Sequence, residues 1–104
     1  MKQNLSETCH LFFSTLSNPT RLGILELLKE TPMNVTQLSE ALNQEQSMMS
    51  HNLRPLFRCG FIFAERKGKE RIYSLNRETV EPLFKIIENH AEKYCPKMGK
   101  CLKH

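Results

Sequence analysis

No stretch of this chain approaches the ~18 consecutive apolar residues that a membrane-crossing helix requires, so no spanning segment is expected. The opening Met1-Lys2-Gln3-Asn4 carries no apolar run of the kind an export signal uses, and the expected compartment is the cytoplasm. Internal repeats and low-complexity runs are missing, and five Pro and four Gly are too few for a disordered segment. Tryptophan is absent, and exposed aromatics for stacking on splayed RNA bases are not evident. Catalytic constellations are missing too. No P-loop, Ser/His/Asp order or paired-carboxylate cleft can be assembled, and Cys95 lacks the Gly-rich run and Arg of a phosphate-handling loop. An enzyme is therefore not expected. What remains is a chain of 104 residues, long enough for one domain with a modest core.

Charge is distributed unevenly along it. Residues 1–53 hold three Lys/Arg against five Glu, whereas residues 54–104 hold twelve against six. A basic second half suits a polyanionic partner. No helix pairs a basic face with a strongly apolar one, so nucleic acid is favoured over a lipid surface.

Within this pattern, residues 46–58 read as one amphipathic helix. Met49, Leu53, Leu56 and Phe57 recur at helical spacing as a buried face. The opposite stripe, Ser47, Ser50, His51, Arg54 and Arg58, holds donors and cations but no carboxylate. Such a face can hydrogen-bond base edges and phosphates without repelling them. Upstream, Thr36 is read as the N-cap of a short helix, Gln37 to Leu42, with Leu38, Ala41 and Leu42 inward. Asn43-Gln44-Glu45 is then the turn of a helix-turn-helix. Glu45 is an indifferent cap, and Pro55, which removes a backbone bond to His51, is expected to kink the second helix. Taken alone, the polar stripe could equally be the solvated side of an ordinary helical hairpin.

The next segment decides between these readings. Phe61 to Arg66 and Glu70 to Leu75 are rich in aromatic and β-branched residues and flank Lys67-Gly68-Lys69, which predicts a β-hairpin. Its tip gathers Arg66, Lys67, Lys69 and Arg71 against Glu65 and Glu70, a candidate phosphate clamp. A helix-turn-helix followed by a basic hairpin is a winged helix, and double-stranded DNA is the expected partner. The rival is a module that uses the same fold to grip another protein.

Three more helices follow from the apolar pattern. Leu5 to Leu16 aligns Leu5, Cys9, Phe12, Phe13 and Leu16. Pro19 opens the next after an Asn18 cap, with Leu22, Leu25 and Leu28 inward. Thr79 to Tyr94 aligns Val80, Leu83, Phe84, Ile87, Ala91 and Tyr94. The expected architecture is mainly α with a small β-hairpin (α+β): one domain over residues 1–104, about five helices and a two-stranded wing, with 95–104 as a flexible tail. The first and last helices carry more apolar surface than so small a domain can cover, which calls for a homodimer.

Leu16-Ser17-Asn18-Pro19-Thr20-Arg21-Leu22-Gly23-Ile24-Leu25, Ser47-Met48-Met49-Ser50-His51-Asn52-Leu53, Cys59-Gly60-Phe61-Ile62 and Arg71-Ile72-Tyr73-Ser74-Leu75 together resemble the ArsR/SmtB family, from about Phe12 to Tyr94. That resemblance implies a small dimeric winged-helix repressor in which the first and last helices pair between subunits, on an inverted-repeat operator. It places Ser47, Met48, Ser50, His51 and Arg54 in the major groove and Arg66, Lys67, Lys69 and Arg71 on the wing. The family's Cys-Val-Cys metal motif would fall on Asn34-Val35-Thr36-Gln37-Leu38, where both thiols are missing, so the arsenic, lead and cadmium site of that type is absent. The His-and-carboxylate set of zinc-sensing relatives is not reproduced either. The last helix offers Glu81, Glu88, His90 and Glu92, but Arg77 and Lys93 fall where ligands are wanted.

Four cysteines remain. Cys59 reads as a small buried residue before Gly60, and Cys9 as core packing. Cys95 and Cys101 lie six residues apart among Lys97, Lys100 and Lys103, which favours the thiolate, and His104 ends the chain. Cys9, Cys95, Cys101 and His104 are therefore candidate ligands for a soft ion (Zn, Cd, As or Cu) if the terminal helices of two subunits meet. A thiol switch at the same cysteines and a regulator without inducer stay open beside metal sensing.

Overall fold

The computed structural model of the chain describes residues 4–95. Its elements are α1 (Leu5–Leu16), α2 (Pro19–Glu30), α3 (Val35–Leu42), α4 (Gln46–Arg58), β1 (Ile62–Lys67), β2 (Glu70–Leu75) and α5 (Arg77–Tyr94). The predicted five helices and hairpin are all present among the described residues.

Three helices begin at an asparagine whose side-chain oxygen accepts a backbone N–H three residues on, satisfying one of the donors that a helix start leaves unpaired. Asn4 accepts from Glu7 at 2.8 Å, Asn18 from Arg21 at 3.0 Å and Asn34 from Gln37 at 2.8 Å. The third case corrects the reading of Thr36 as a cap. Gln37 also accepts from the Asn34 backbone N–H at 2.8 Å, closing a reciprocal capping box that Thr36 has no partner to build. Helix α3 consequently starts two residues early. Val35, Leu38, Ser39 and Leu42 turn toward the core, and Ala41, expected inward, is exposed. Asn43 ends the helix in the left-handed region at φ 55°.

The core consists of Leu16, Ile24, Leu25, Leu28, Leu38, Met49, Leu53, Leu56, Phe61, Ile62, Leu75 and Val80. In α2 the inward row is Ile24, Leu25 and Leu28, and Leu22 stays 38% exposed. A Cβ at Gly23 would stand 3.2 Å from a Leu42 methyl, which shows how closely α2 and α3 approach. Phe57 is the exception on α4. It lies one position off the row of Met49, Leu53 and Leu56 and is 45% exposed. Helix α4 also continues through Pro55 unbroken, with the Cys59 N–H donating to the Pro55 carbonyl at 3.0 Å.

The hairpin pairs Ile62 with Leu75 at its base and Lys67 with Glu70 at its tip. Gly68-Lys69 forms the turn, with Gly68 at φ +63°. On its other edge β2 exchanges two backbone bonds with Met33, through Met33 N–H to Tyr73 O at 3.0 Å and the reverse at 2.8 Å. The wing is thus tied to the segment that leads into α3. Asn76 closes the base. Its side-chain amide donates to the Gly60 carbonyl at 2.7 Å and its backbone N–H to the Phe61 carbonyl at 3.0 Å.

Helix α5 begins at Arg77, two residues before the expected Thr79. The Arg77 guanidinium donates to the Lys29 carbonyl at 2.8 Å, capping the end of α2, and also pairs with Glu81. Along the outer sides of α1 and α5, Leu5, Leu11, Phe13, Ile86, Ile87 and Tyr94 are exposed in the single chain. No helix of the described residues is long and apolar enough to cross a membrane.

The cap assignment is open to test by stability. Asn34→Ala should cost about 1 kcal/mol, measured as a lower urea midpoint. Thr36→Ala should stay within about 0.5 kcal/mol of wild type, as surface substitutions do. The opposite ranking would restore Thr36 as the cap.

Candidate nucleic-acid interface

Burying Met49, Leu53 and Leu56 forces the other side of α4 into solvent, and Ser47, Met48, Ser50, His51, Arg54 and Arg58 are all exposed. On the wing, Arg66, Lys67, Lys69 and Arg71 are exposed as well. The two sets converge. Ser50 and Arg54 from α4 and Lys69 and Arg71 from the wing line one groove together with Thr36, Phe57 and Tyr73. Met48 and His51 line a neighbouring hollow with Thr20, Arg21 and Gln44. Ser47, Arg66 and Lys67 are exposed without lining either concavity.

Cations predominate on this surface, with Glu70 the one carboxylate that lines the groove. Among the described residues one salt bridge forms, Arg77–Glu81 in the first turns of α5, and it involves no wing cation. Arg66 and Arg71 stand directly opposite each other across the hairpin ladder. Like charges in that relation destabilise a sheet unless an anion lies between or beside them. A surface that keeps four wing cations without carboxylate partners is suited to phosphate.

Two polar contacts missed by the sequence reading hold α4 in place. Asn52 is buried on α4, with 5% exposure. Its side-chain oxygen accepts from the Arg21 Nε at 3.0 Å, and its amide donates to the Met48 carbonyl at 3.0 Å. Arg21 also donates through Nη1 to the Thr15 carbonyl at 3.1 Å, so one guanidinium joins the end of α1, the start of α2 and α4. Gln44 donates to the Thr20 hydroxyl at 2.8 Å and fixes the turn of the helix-turn-helix against α2. Both Arg21 and Asn52 stand in the motifs that carry the family resemblance. Their meeting is non-local, so no local pattern could reveal it.

The cysteines divide differently from expectation. Cys59 is exposed rather than buried, because it follows the last turn of α4 on the solvent side, with its sulfur 3.6 Å from the Thr15 hydroxyl. Cys9 and Cys95 are half-buried, on α1 and just past α5. Cys101 and His104 lie outside the described residues. Among the described residues no group of three or more His, Cys, Asp or Glu could hold a metal ion.

A recognition helix, a helix packed across it and a basic hairpin on the same face define a winged helix-turn-helix protein. The model of the bacterial regulatory protein arsR family matches residues 18–63. NmtR, an HTH-type transcriptional regulator of Mycobacterium tuberculosis, is 40% identical over 77 residues, covering 74% of this chain and 64% of its own length. The chain thus spans less than two thirds of that relative. The crystal structure of Rv0081 from M. tuberculosis superposes with a TM-score of 0.80 at 31% identity, covering 94% of this chain and all of that one. The solution structure of the homodimeric winged helix-turn-helix DNA-binding domain of Mb0332 from Mycobacterium bovis gives 0.77 at 26% identity, over 90% and 92% of the two chains. The chain belongs to the ArsR/SmtB family, a class of transcriptional regulators rather than enzymes.

The Arg21–Asn52 contact yields a direct test. Asn52→Ala leaves the Nε–H of a half-buried guanidinium without its acceptor and should lower stability by about 1–3 kcal/mol. The expected readout is a reduced urea midpoint with an unchanged slope. A wild-type midpoint would mean the contact contributes nothing.

Proposed function

We propose that the chain is a homodimeric repressor that binds an inverted-repeat operator in double-stranded DNA. The observation that carries this reading is the common groove, where Ser50 and Arg54 of α4 meet Lys69 and Arg71 of the wing. In and around it Arg54, Arg66, Lys67, Lys69 and Arg71 serve phosphates, and Ser47, Met48, Ser50 and His51, on the exposed side of α4, face base edges. The exposed apolar side chains of α1 and α5 support a dimer formed through those two helices, and the domain of Mb0332 is itself a homodimer. Two recognition helices would then meet half-sites about one DNA turn apart. Such a protein acts in the cytoplasm, with no membrane partner.

Binding to the protein's own upstream DNA is measured by band shift and fluorescence anisotropy. Arg54→Ala should weaken it about tenfold or more, in the range of a lost major-groove arginine. Removing both Lys67 and Lys69 should lower the slope of log K against log salt by about 2 per subunit, one for each phosphate contact. An unchanged slope would remove the wing from the interface. Undetectable duplex affinity at low salt, with a co-purifying protein, would favour the protein-gripping alternative.

Release from DNA is assigned to the cysteines that dimerisation brings near one another. Cys9 sits on α1 and Cys95 directly after α5, so pairing these helices gathers thiols from both subunits, with Cys101 and His104 following in the chain. The donor set is sulfur-rich and suits a soft ion such as Zn, Cd, As or Cu, or oxidation to a disulfide. Metal binding then depends on the second subunit or on residues 96–104, since no three-ligand group occurs among the described residues of one chain. Replacing Cys95 and Cys101 with Ser should abolish the loss of band shift produced by Zn(II), As(III) or a mild oxidant. A wild-type shift indifferent to all three would leave a regulator without this inducer.

A further inference from the structure

Phe57 is the one large residue of α4 whose placement neither the core nor base reading explains. It is 45% exposed, yet it lines the groove between Arg54 and the wing. The Arg71 guanidinium lies 5.7 Å from the centre of its ring and 5.6 Å from that of Tyr73. Arg71 and Tyr73 share one side of β2, two residues apart, and Arg66 stands directly across the ladder. The guanidinium is thus held between a ring of the recognition helix and a ring of the wing.

We propose that Phe57 is a positioning residue for DNA binding, which with Tyr73 holds Arg71 and sets the wing against the recognition helix. The inference rests on the DNA-binding reading above and adds a residue to it. A guanidinium resting on a ring face keeps its in-plane N–H groups free, so Arg71 can use its face for the rings and its edge for a phosphate. The negative ring faces also offset the repulsion between Arg71 and Arg66, neither of which forms a salt bridge in the described structure. Fixing the side chain before DNA arrives lowers the ordering cost of binding. An apolar side chain without a ring at position 57 would not hold the cation.

A double-mutant cycle tests this, with Phe57→Leu, Arg71→Gln and the double variant measured by anisotropy on the upstream duplex. At exposed sites a cation–π contact contributes about 0.5–1 kcal/mol, so Phe57→Leu should weaken binding about two- to fivefold. In the Arg71→Gln background the same change should cost nothing. Phe57→Tyr, which keeps the ring face, should retain wild-type affinity. Equal loss from Phe57→Leu in both backgrounds, or none in either, overturns the proposal. A second measurement needs no DNA. Ring-current shifts should move the Arg71 side-chain protons upfield in the free wild-type protein and relax in Phe57→Leu. Failure of the wild type to bind duplex would count against the DNA-binding reading, while unshifted Arg71 protons would count against the clamp.

Discussion

The phase of helix α4 is constrained by the burial of Met49, Leu53 and Leu56, each at most 2% exposed, and most of the molecule's surface chemistry follows from it. A rotation about the helix axis would withdraw these side chains and expose them, at about 1.5–3 kcal/mol for each one fully uncovered. Asn52 strengthens the restraint, because its bond from the Arg21 Nε of α2 is satisfied in one orientation of α4 only. With the inner face fixed, Ser47, Ser50, His51 and Arg54 have no direction left but outward. The same packing sets the relation to the wing, since Phe61 and Ile62 enter the core directly after α4 and carry the hairpin with them.

Beside that fixed helix the wing gathers cations that form no salt bridge. The carboxylates nearest the wing tip, Glu65 and Glu70, form no salt bridge with its cations in the described structure. Arg66 and Arg71 face each other without an intervening acid. Elsewhere an arginine is fully used for structure. Arg21 spans three helices, and Arg77 caps α2 and pairs with Glu81. The contrast separates cations engaged in the fold from those whose donors stay open to solvent. A guanidinium that has carbonyl, amide or carboxylate acceptors of its own serves the fold, and one that has only ring faces keeps its donors available.

The architecture was legible in the sequence because its elements are periodic. The rows of α1, α2 and α4, the hairpin around Gly68 and the turn at residues 43–45 all carry local signals of spacing or φ preference. Several details escaped, and four of them have clear physical reasons. Asn34 and Thr36 are both good caps, and only the reciprocal bond to Gln37 separates them. The Met33–Tyr73 pairing is a single bridge and has no period to detect. Cys59 was read as buried from residue type alone, although its place after the last turn of α4 faces solvent. The Arg21–Asn52 contact joins residues 31 positions apart, and pattern cannot foretell such a meeting. For the candidate interface, the exposed stripe and the cationic tip were readable separately. Their convergence on one groove, and the role of Phe57 there, depended on the angle between helix and wing, which only coordinates define.

In the proposed complex the outward stripe of α4 and the cationic wing grasp one duplex together. Amide chemical-shift mapping of the isotope-labelled protein, titrated with its own upstream DNA, tests it most directly. Perturbations concentrated at residues 46–54 and 66–71, saturating together at a single stoichiometry, are the predicted result. Shifts confined to one of the two segments, or centred on α1 and α5 while both remain silent, would contradict it.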